Sequence, residues 1–188
     1  MSTIHTGTTM APTKLELLTD WLPRQPWYLG SGAAPQLRRA GGFRVDDPAG
    51  EVGIEFLLVG DGATGTTYSV PLTYRAAPLA GAEAALIGTS EHGVLGTRWI
   101  YDGAHDPIAV TQLLEFVAGR VEAQHHSQSD TLDPSVGRTW RAPGETGPLS
   151  VDVIRVLSGD VVPGHGSVEV DWTRPDGETA RGVVAVVR

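Results

Sequence analysis

Few side chains in this sequence have both the type and the spacing for chemistry, and phosphoryl transfer is the first chemistry to weigh. That reaction asks for a lysine on an early strand to hold nucleotide phosphates and an aspartate, in a His-x-Asp triplet, to orient the attacking hydroxyl. Lys14 is the single lysine, every other basic residue apart from histidine being arginine, and it precedes the first expected strand. His5, His92, His105, His125, His126 and His165 are followed two positions on by Gly7, Val94, Pro107, Ser127, Gln128 and Ser167, so none opens the triplet. Arginine reaches phosphates with a different, planar geometry and is a poor substitute. The run Gly60-Asp-Gly-Ala-Thr-Gly65-Thr-Thr67 has the glycines of a phosphate loop, but Thr66 stands at the lysine position. A strand rather than a helix follows it, so no helix N-terminus receives phosphate, and the run reads as a hairpin loop.

Two groupings have metal-ligand residue types. Asp102, His105 and Asp106 are compact, yet Asp102-Gly103 reads as a turn and Asp106 as a helix cap. His125 and His126 are adjacent, and on a helix adjacent side chains diverge. There is no cysteine for a thiolate site or disulfide. The expectation is therefore no metal, no cofactor and no catalytic residue. Arg24, Trp27, Arg75 and Asp102 remain as a candidate interaction or ligand surface. Arg75 is expected to salt-bridge Glu83 or Asp102 and hold a bend, with a partner or a sugar ring as its alternative. Trp99 and Tyr101 share a strand face and read as core rather than as a sugar platform.

The elements that must position these residues follow from periodicity. Tyr68, Val70, Leu72 and Tyr74 alternate with polar neighbours, as do Leu95, Thr97, Trp99 and Tyr101, with the segment Gly81 through Ser90 read as part of the bend between them. Leu37 to Val45 and Val52 to Val59 read as two more strands, the second with Val52, Ile54, Phe56 and Leu58 on one face. Pro71 inside its strand implies an edge or a bulge, because proline donates nothing to a ladder. Lys14 to Leu22 reads as a short helix capped by Thr13 and ended by Pro23. Asp106 and Pro107 open a long helix with Val110, Leu113, Leu114, Val117 and Val121 on its apolar stripe, fading into Gln124 to Asp130. Val151 to Leu157, Ser167 to Thr173 and Ala180 to Val187 are strands, the last two joined by the turn Arg174-Pro-Asp-Gly177.

Several ordered blocks carry a family resemblance: Trp21-Leu-Pro-Arg-Gln25 with Trp27, Val70-Pro-Leu-Thr-Tyr-Arg75, Pro78-Leu79, Ala85-Leu-Ile-Gly-Thr89, Trp99-Ile-Tyr-Asp102 and Asp106-Pro107. They resemble the N-terminal cap of actinobacterial maltokinases and related sugar kinases, over roughly residues 14 to 120. Pro26 stands where the family often has a basic residue, and Ser31 and Gly32 stand where it has lysine. Val153-Ile-Arg-Val-Leu-Ser-Gly159 faintly resembles the entry to a kinase lobe, from which the chain then departs. The expected fold is α+β: a curved antiparallel sheet packed by the long amphipathic helix and the short N-terminal one, with additional C-terminal strands. The expected organisation is a flexible N-terminus at 1–12, a cap-like domain at 13–126, a linker or long loop at 127–150 containing Trp140, and a β-strand extension at 151–188.

The formal charge of −8, with acids scattered along the chain, argues against nucleic acid as a partner. No stretch has the apolar length of a membrane span or the form of a signal peptide, so a cytoplasmic protein is expected. The resemblance implies a setting in maltose, trehalose or glycogen metabolism, beside a sugar kinase or trehalose synthase. The leading expectation is a non-catalytic, stand-alone cap-like module acting through protein contacts, with strand pairing near Pro71 or at Gly182 to Val187 as its physical means. The alternative is a carbohydrate- or metabolite-binding module. A phosphotransferase is the third reading, opposed by the missing lysine and aspartate.

Overall fold

The computed structural model describes residues 10–30, 32–128, 130–141, 148–160 and 162–188. Among the described residues the strands are β1 (Met10–Ala11), β2 (Leu37–Val45), β3 (Gly53–Asp61), β4 (Thr66–Arg75), β5 (Leu86–His92), β6 (Gly96–Asp102), β7 (Gln124–His125), β8 (Gly137–Trp140), β9 (Val151–Val153), β10 (Gly166–Thr173) and β11 (Thr179–Val187). The helices are α1 (Lys14–Trp21), followed by a 3-10 turn at Leu22–Arg24, and α2 (Pro107–Val117). The strands form one antiparallel sheet in the order β1-β5-β6-β4-β3-β2-β10-β11-β9, with β7 beside β2 and β8 beside β10.

Local chemistry sets the helix ends. Thr13 caps α1 through a reciprocal capping box with Glu16. Asp106 caps α2 by accepting from the Ile108 amide, and Pro107 fills the first turn. The expected long helix is corrected to 11 residues. Gly119, at φ +78°, turns the chain left-handed, and the Ala118 and Gly119 amides close on the carbonyls of Leu114 and Phe116. Val121 therefore lies beyond the helix, and Gln124 and His125 pair with Arg44 and Phe43 of β2 as a strand.

The sheet is not strongly curled, contrary to the expected curvature. The two helices lie on opposite faces, so the strands do not wrap around a single helix. On one face Phe43, Phe56, Leu113, Phe116, Val168, Trp172 and Val184 form a core beneath α2. On the other, Leu18, Trp21, Leu22, Leu57, Tyr68, Val70, Leu72 and Ile100 form a core beneath α1. Phe43 stacks on Phe56 at 4.6 Å between ring centroids. Because β3 sends residues into both cores, its apolar run is continuous rather than alternating.

Two edges expected to be free are covered. Pro71 lies inside the sheet, opposite Phe56 of β3, at the point where the other side of β4 changes partner. Leu72–Arg75 pair with β6, whereas the Ser69 amide donates to the Arg155 carbonyl and the Leu157 amide to Thr67. The changeover asks no amide of Pro71, and Gly103 closes over it: a Cβ there would come 3.1 Å from the Pro71 Cβ. The terminal strand is covered over its last four residues, since Ala185–Val187 pair with β9 and the Ile154 amide donates to the Val184 carbonyl. The segment 81–90 contains β5, which a bend alone does not describe. Within the expected linker lies β8, paired with Gly166–Glu169; residues 142–147 there, and 1–9 of the expected flexible N-terminus, lie outside the described residues.

Candidate functional site

Arg75 leaves the end of β4 where α2 begins. Its Nε and Nη2 donate to the two carboxylate oxygens of Asp106, each at 2.7 Å. The expected ion pair thus forms, but with Asp106 and not with Glu83 or Asp102, because the helix N-terminus and the strand end meet there. Burial pushes the Asp106 carboxyl up, but the Arg75 guanidinium and the Ile108 amide outweigh it and hold it below its ordinary value. The same hydrogen bonding to Asp106 raises the Arg75 pKa. Two of the three Arg75 guanidinium nitrogens are thus occupied by a fully buried carboxylate.

Asp102 is likewise held inside the fold. One oxygen accepts from the Ala104 amide at 3.2 Å, and the other accepts from Arg155 Nη2 at 2.6 Å. His105 Nε2 stands 3.9 Å from the Asp102 carboxylate. The Arg155 guanidinium also lies over the Trp27 ring, 4.9 Å from its centroid. Trp27 packs in turn against Trp21 and Tyr68, with centroids 5.8 and 6.0 Å away. Arg155, on the C-terminal segment, thus joins Trp27 to Asp102. Its only sequence signal is a charge inside the apolar run Val153 to Leu157. Arg24 is exposed and donates to the Asp20 carbonyl at 3.0 Å. The four expected surface residues therefore do not form one site: Arg75 pairs with Asp106, Trp27 and Asp102 meet through Arg155, and Arg24 stands apart. Tyr101 is buried, its hydroxyl accepting from the Leu79 amide at 2.8 Å, and Trp99 is half-buried.

The densest polar cluster centres on Glu55, a residue with no flag in the sequence. Its carboxylate, 5% exposed, receives Lys14 Nζ at 2.7 and 2.8 Å, Arg39 Nη2 at 2.9 Å and the Tyr74 hydroxyl at 2.7 Å. Burial pushes the Glu55 carboxyl up, but the Lys14 and Arg39 charges and the bonds from Lys14 and Tyr74 outweigh it, leaving the pKa at about 2. Burial and the adjacent carboxylate push the Tyr74 hydroxyl well above its usual range. The chain's single lysine is engaged here.

The glycine-rich loop is organised around a buried carboxylate. Asp61 accepts from the amides of Gln36 and Ala63, each at 2.9 Å, from the Tyr28 hydroxyl at 3.0 Å and from the Thr64 hydroxyl at 3.2 Å. Burial, with Asp61 adjacent, pushes the Tyr28 hydroxyl up to about 12. A loop built on an inward anion repels a phosphate instead of cradling it.

His125 and His126 do not diverge, because they lie beyond α2. Their rings stack with centroids 4.7 Å apart. Burial pushes His126 down to about 4, helped by the charge of Arg39 and by His125. Among the described residues no group of three or more histidines and acids is placed to hold a metal ion. No described helix is long and apolar enough to cross a membrane.

No curated protein matches the chain. Residues 21–106 match the family model of the maltokinase N-terminal cap domain.

Proposed function

With a maltokinase N-terminal cap domain at residues 21–106 as the premise, we propose that the chain is a non-catalytic module working through protein contacts in sugar-kinase, trehalose or glycogen metabolism. One observation carries the non-catalytic part: Lys14, the single lysine, is spent on the buried Glu55 carboxylate. The phosphate-holding lysine of a kinase stands on a strand, where its glutamate partner aims it at the nucleotide, whereas Lys14 opens α1 and its carboxylate partner is also closed in by Arg39 and Tyr74. Arg75 at the end of β4 and Asp106 at the cap of α2 are likewise consumed by each other. The partner is a sugar kinase or trehalose synthase. It meets side-chain surface rather than a free strand, since the edges at Pro71 and at β11 are paired within the chain.

The test combines size-exclusion chromatography and calorimetry of the purified chain with a maltose kinase and a trehalose synthase from its own source. A stable complex with either, together with no phosphate transferred from labelled ATP to maltose by the chain alone, is the expected result. Maltose-dependent transfer that survives removal of contaminating kinases overturns the reading.

A second reading, a module for a small carbohydrate or metabolite, is favoured by one observation. A polar cleft opens beside His125 and His126.

A further inference from the structure

We propose that this cleft binds a small, neutral, polyhydroxylated molecule of about monosaccharide size. The assignment rests on the small-ligand reading and gives it a place and a chemistry. The cleft exists because β2 changes neighbours along its length. Gly41 pairs with Trp172 of β10, while Phe43 and Arg44 pair with His125 and Gln124 of β7. Since β8 covers β10 only from Gly166 to Glu169, Val170 and Asp171 have no register partner on that side among the described residues and face a gap in the ladder. Gly42 lines the cleft and is held to glycine by β3. It sits at φ +128°, and a Cβ there would lie 2.3 Å from the Phe56 carbonyl oxygen.

The gap has a volume of about 180 Å³, and His125, His126, Asp133, Ser135 and Asp171 bring polar groups to it. At about 30 Å³ per water it has the room of roughly six waters, below the size of a drug-like pocket. Its chemistry is mixed. Carboxylates accept from hydroxyls, and imidazoles both donate and accept. Among the described residues His126 Nδ1 is a buried atom without a hydrogen-bond partner, a state that native structures usually resolve with water or ligand.

Charge selects for neutrality. Asp171 already takes Arg181 Nη1 at 3.0 Å, and Asp133 takes the Ser135 amide at 3.1 Å. An anion would meet these two carboxylates, and a cation at Asp171 would have to displace Arg181. A ligand that pairs each donor with an acceptor on neighbouring hydroxyls meets neither penalty.

The test follows the imidazole C2 protons of the full-length chain by NMR during titration with D-glucose, myo-inositol and, as a cationic control, glucosamine. Saturable shifts of His125 and His126 with glucose or inositol, while His92, His105 and His165 stay fixed, are expected. They are lost in Ser135→Trp, which fills the cleft from an exposed position, and weakened at least fivefold in His126→Gln should the tryptophan variant not fold. Saturable binding by calorimetry with no response at His125 and His126 leaves the small-ligand reading standing and overturns the cleft. No saturable response to glucose or inositol overturns both. A response confined to glucosamine overturns the neutral class.

Discussion

Lys14 Nζ and the Glu55 carboxylate, 41 residues apart in sequence, meet at 2.7 Å across the start of α1 and the first part of β3. Arg39 and Tyr74 complete the shell around the same carboxylate. Removing the lysine leaves a buried anion with one cation in place of two. Lys14→Met is therefore expected to destabilise the fold by roughly 1–3 kcal/mol, less than the loss of a sole partner. A lower urea midpoint with an unchanged m-value records this; an unchanged midpoint removes the cluster from the fold's energetics.

Acid acts on this region in two steps. His126 falls from an ordinary 6.5 to about 4 in the folded chain, so the unfolded chain takes up its proton first. The neutral ring's contribution is complete above about pH 6.5 and is lost as pH falls toward 4. Glu55 falls from 4.5 to about 2, so its contribution is complete above about pH 4.5 and is lost as pH falls toward 2. Calorimetric melting temperatures should be level from pH 7 to 8 and decline below pH 6.5. In His126→Gln the upper part of that decline should disappear while the lower part remains.

Arg75 and Asp106 join a strand end to a helix N-terminus. Asp106→Ala removes the α2 cap and strands a part-buried guanidinium, and should cost about 3 kcal/mol. Arg75→Ala should cost a similar amount, and the double variant less than the sum, with a coupling above about 1 kcal/mol. A surface arginine waiting for a ligand would give near-zero values in chemical denaturation, and that outcome would refute the internal role.

The C-terminal strands belong to the same core as α2. Val168, Val170, Trp172 and Val184 pack with Leu113 and Phe116, and Arg155 holds Trp27 and Asp102. A chain ending at 150 should lack near-ultraviolet dichroism and a cooperative melt. In the full chain, Arg155→Met should speed amide exchange at Ser69 and Leu157, the two amides that bond across this junction. Unchanged protection at both would show that the strand pairing holds itself.

What was legible in the sequence was local. Thr13, Asp106 and Pro107 announce helix starts through contacts within four residues, and Arg174–Gly177 announces a turn. Alternation in Tyr68 to Tyr74 found β4 because its apolar side chains all enter one core. β5 was hidden because a bulge between Leu86 and Gly88 breaks its alternation. Arg75 was expected to pair, but its choice of Asp106 depends on where α2 docks. The Glu55 cluster and the Arg155 bridge were invisible for the same reason. Their members come from strands and helix ends that only the assembled sheet brings together.

The sheet order begins and ends on its shortest strands there, β1 with two residues and β9 with three. A growing aggregate needs a long row of unpaired amides and carbonyls on which an incoming chain can template. Among the described residues eleven strands accumulate, yet the strands that end the order present only two and three residues of such a row. The protein should therefore tolerate high concentration in its folded form. Its hazard lies in partial opening, when release of the 154–157 segment bares the long strand behind it.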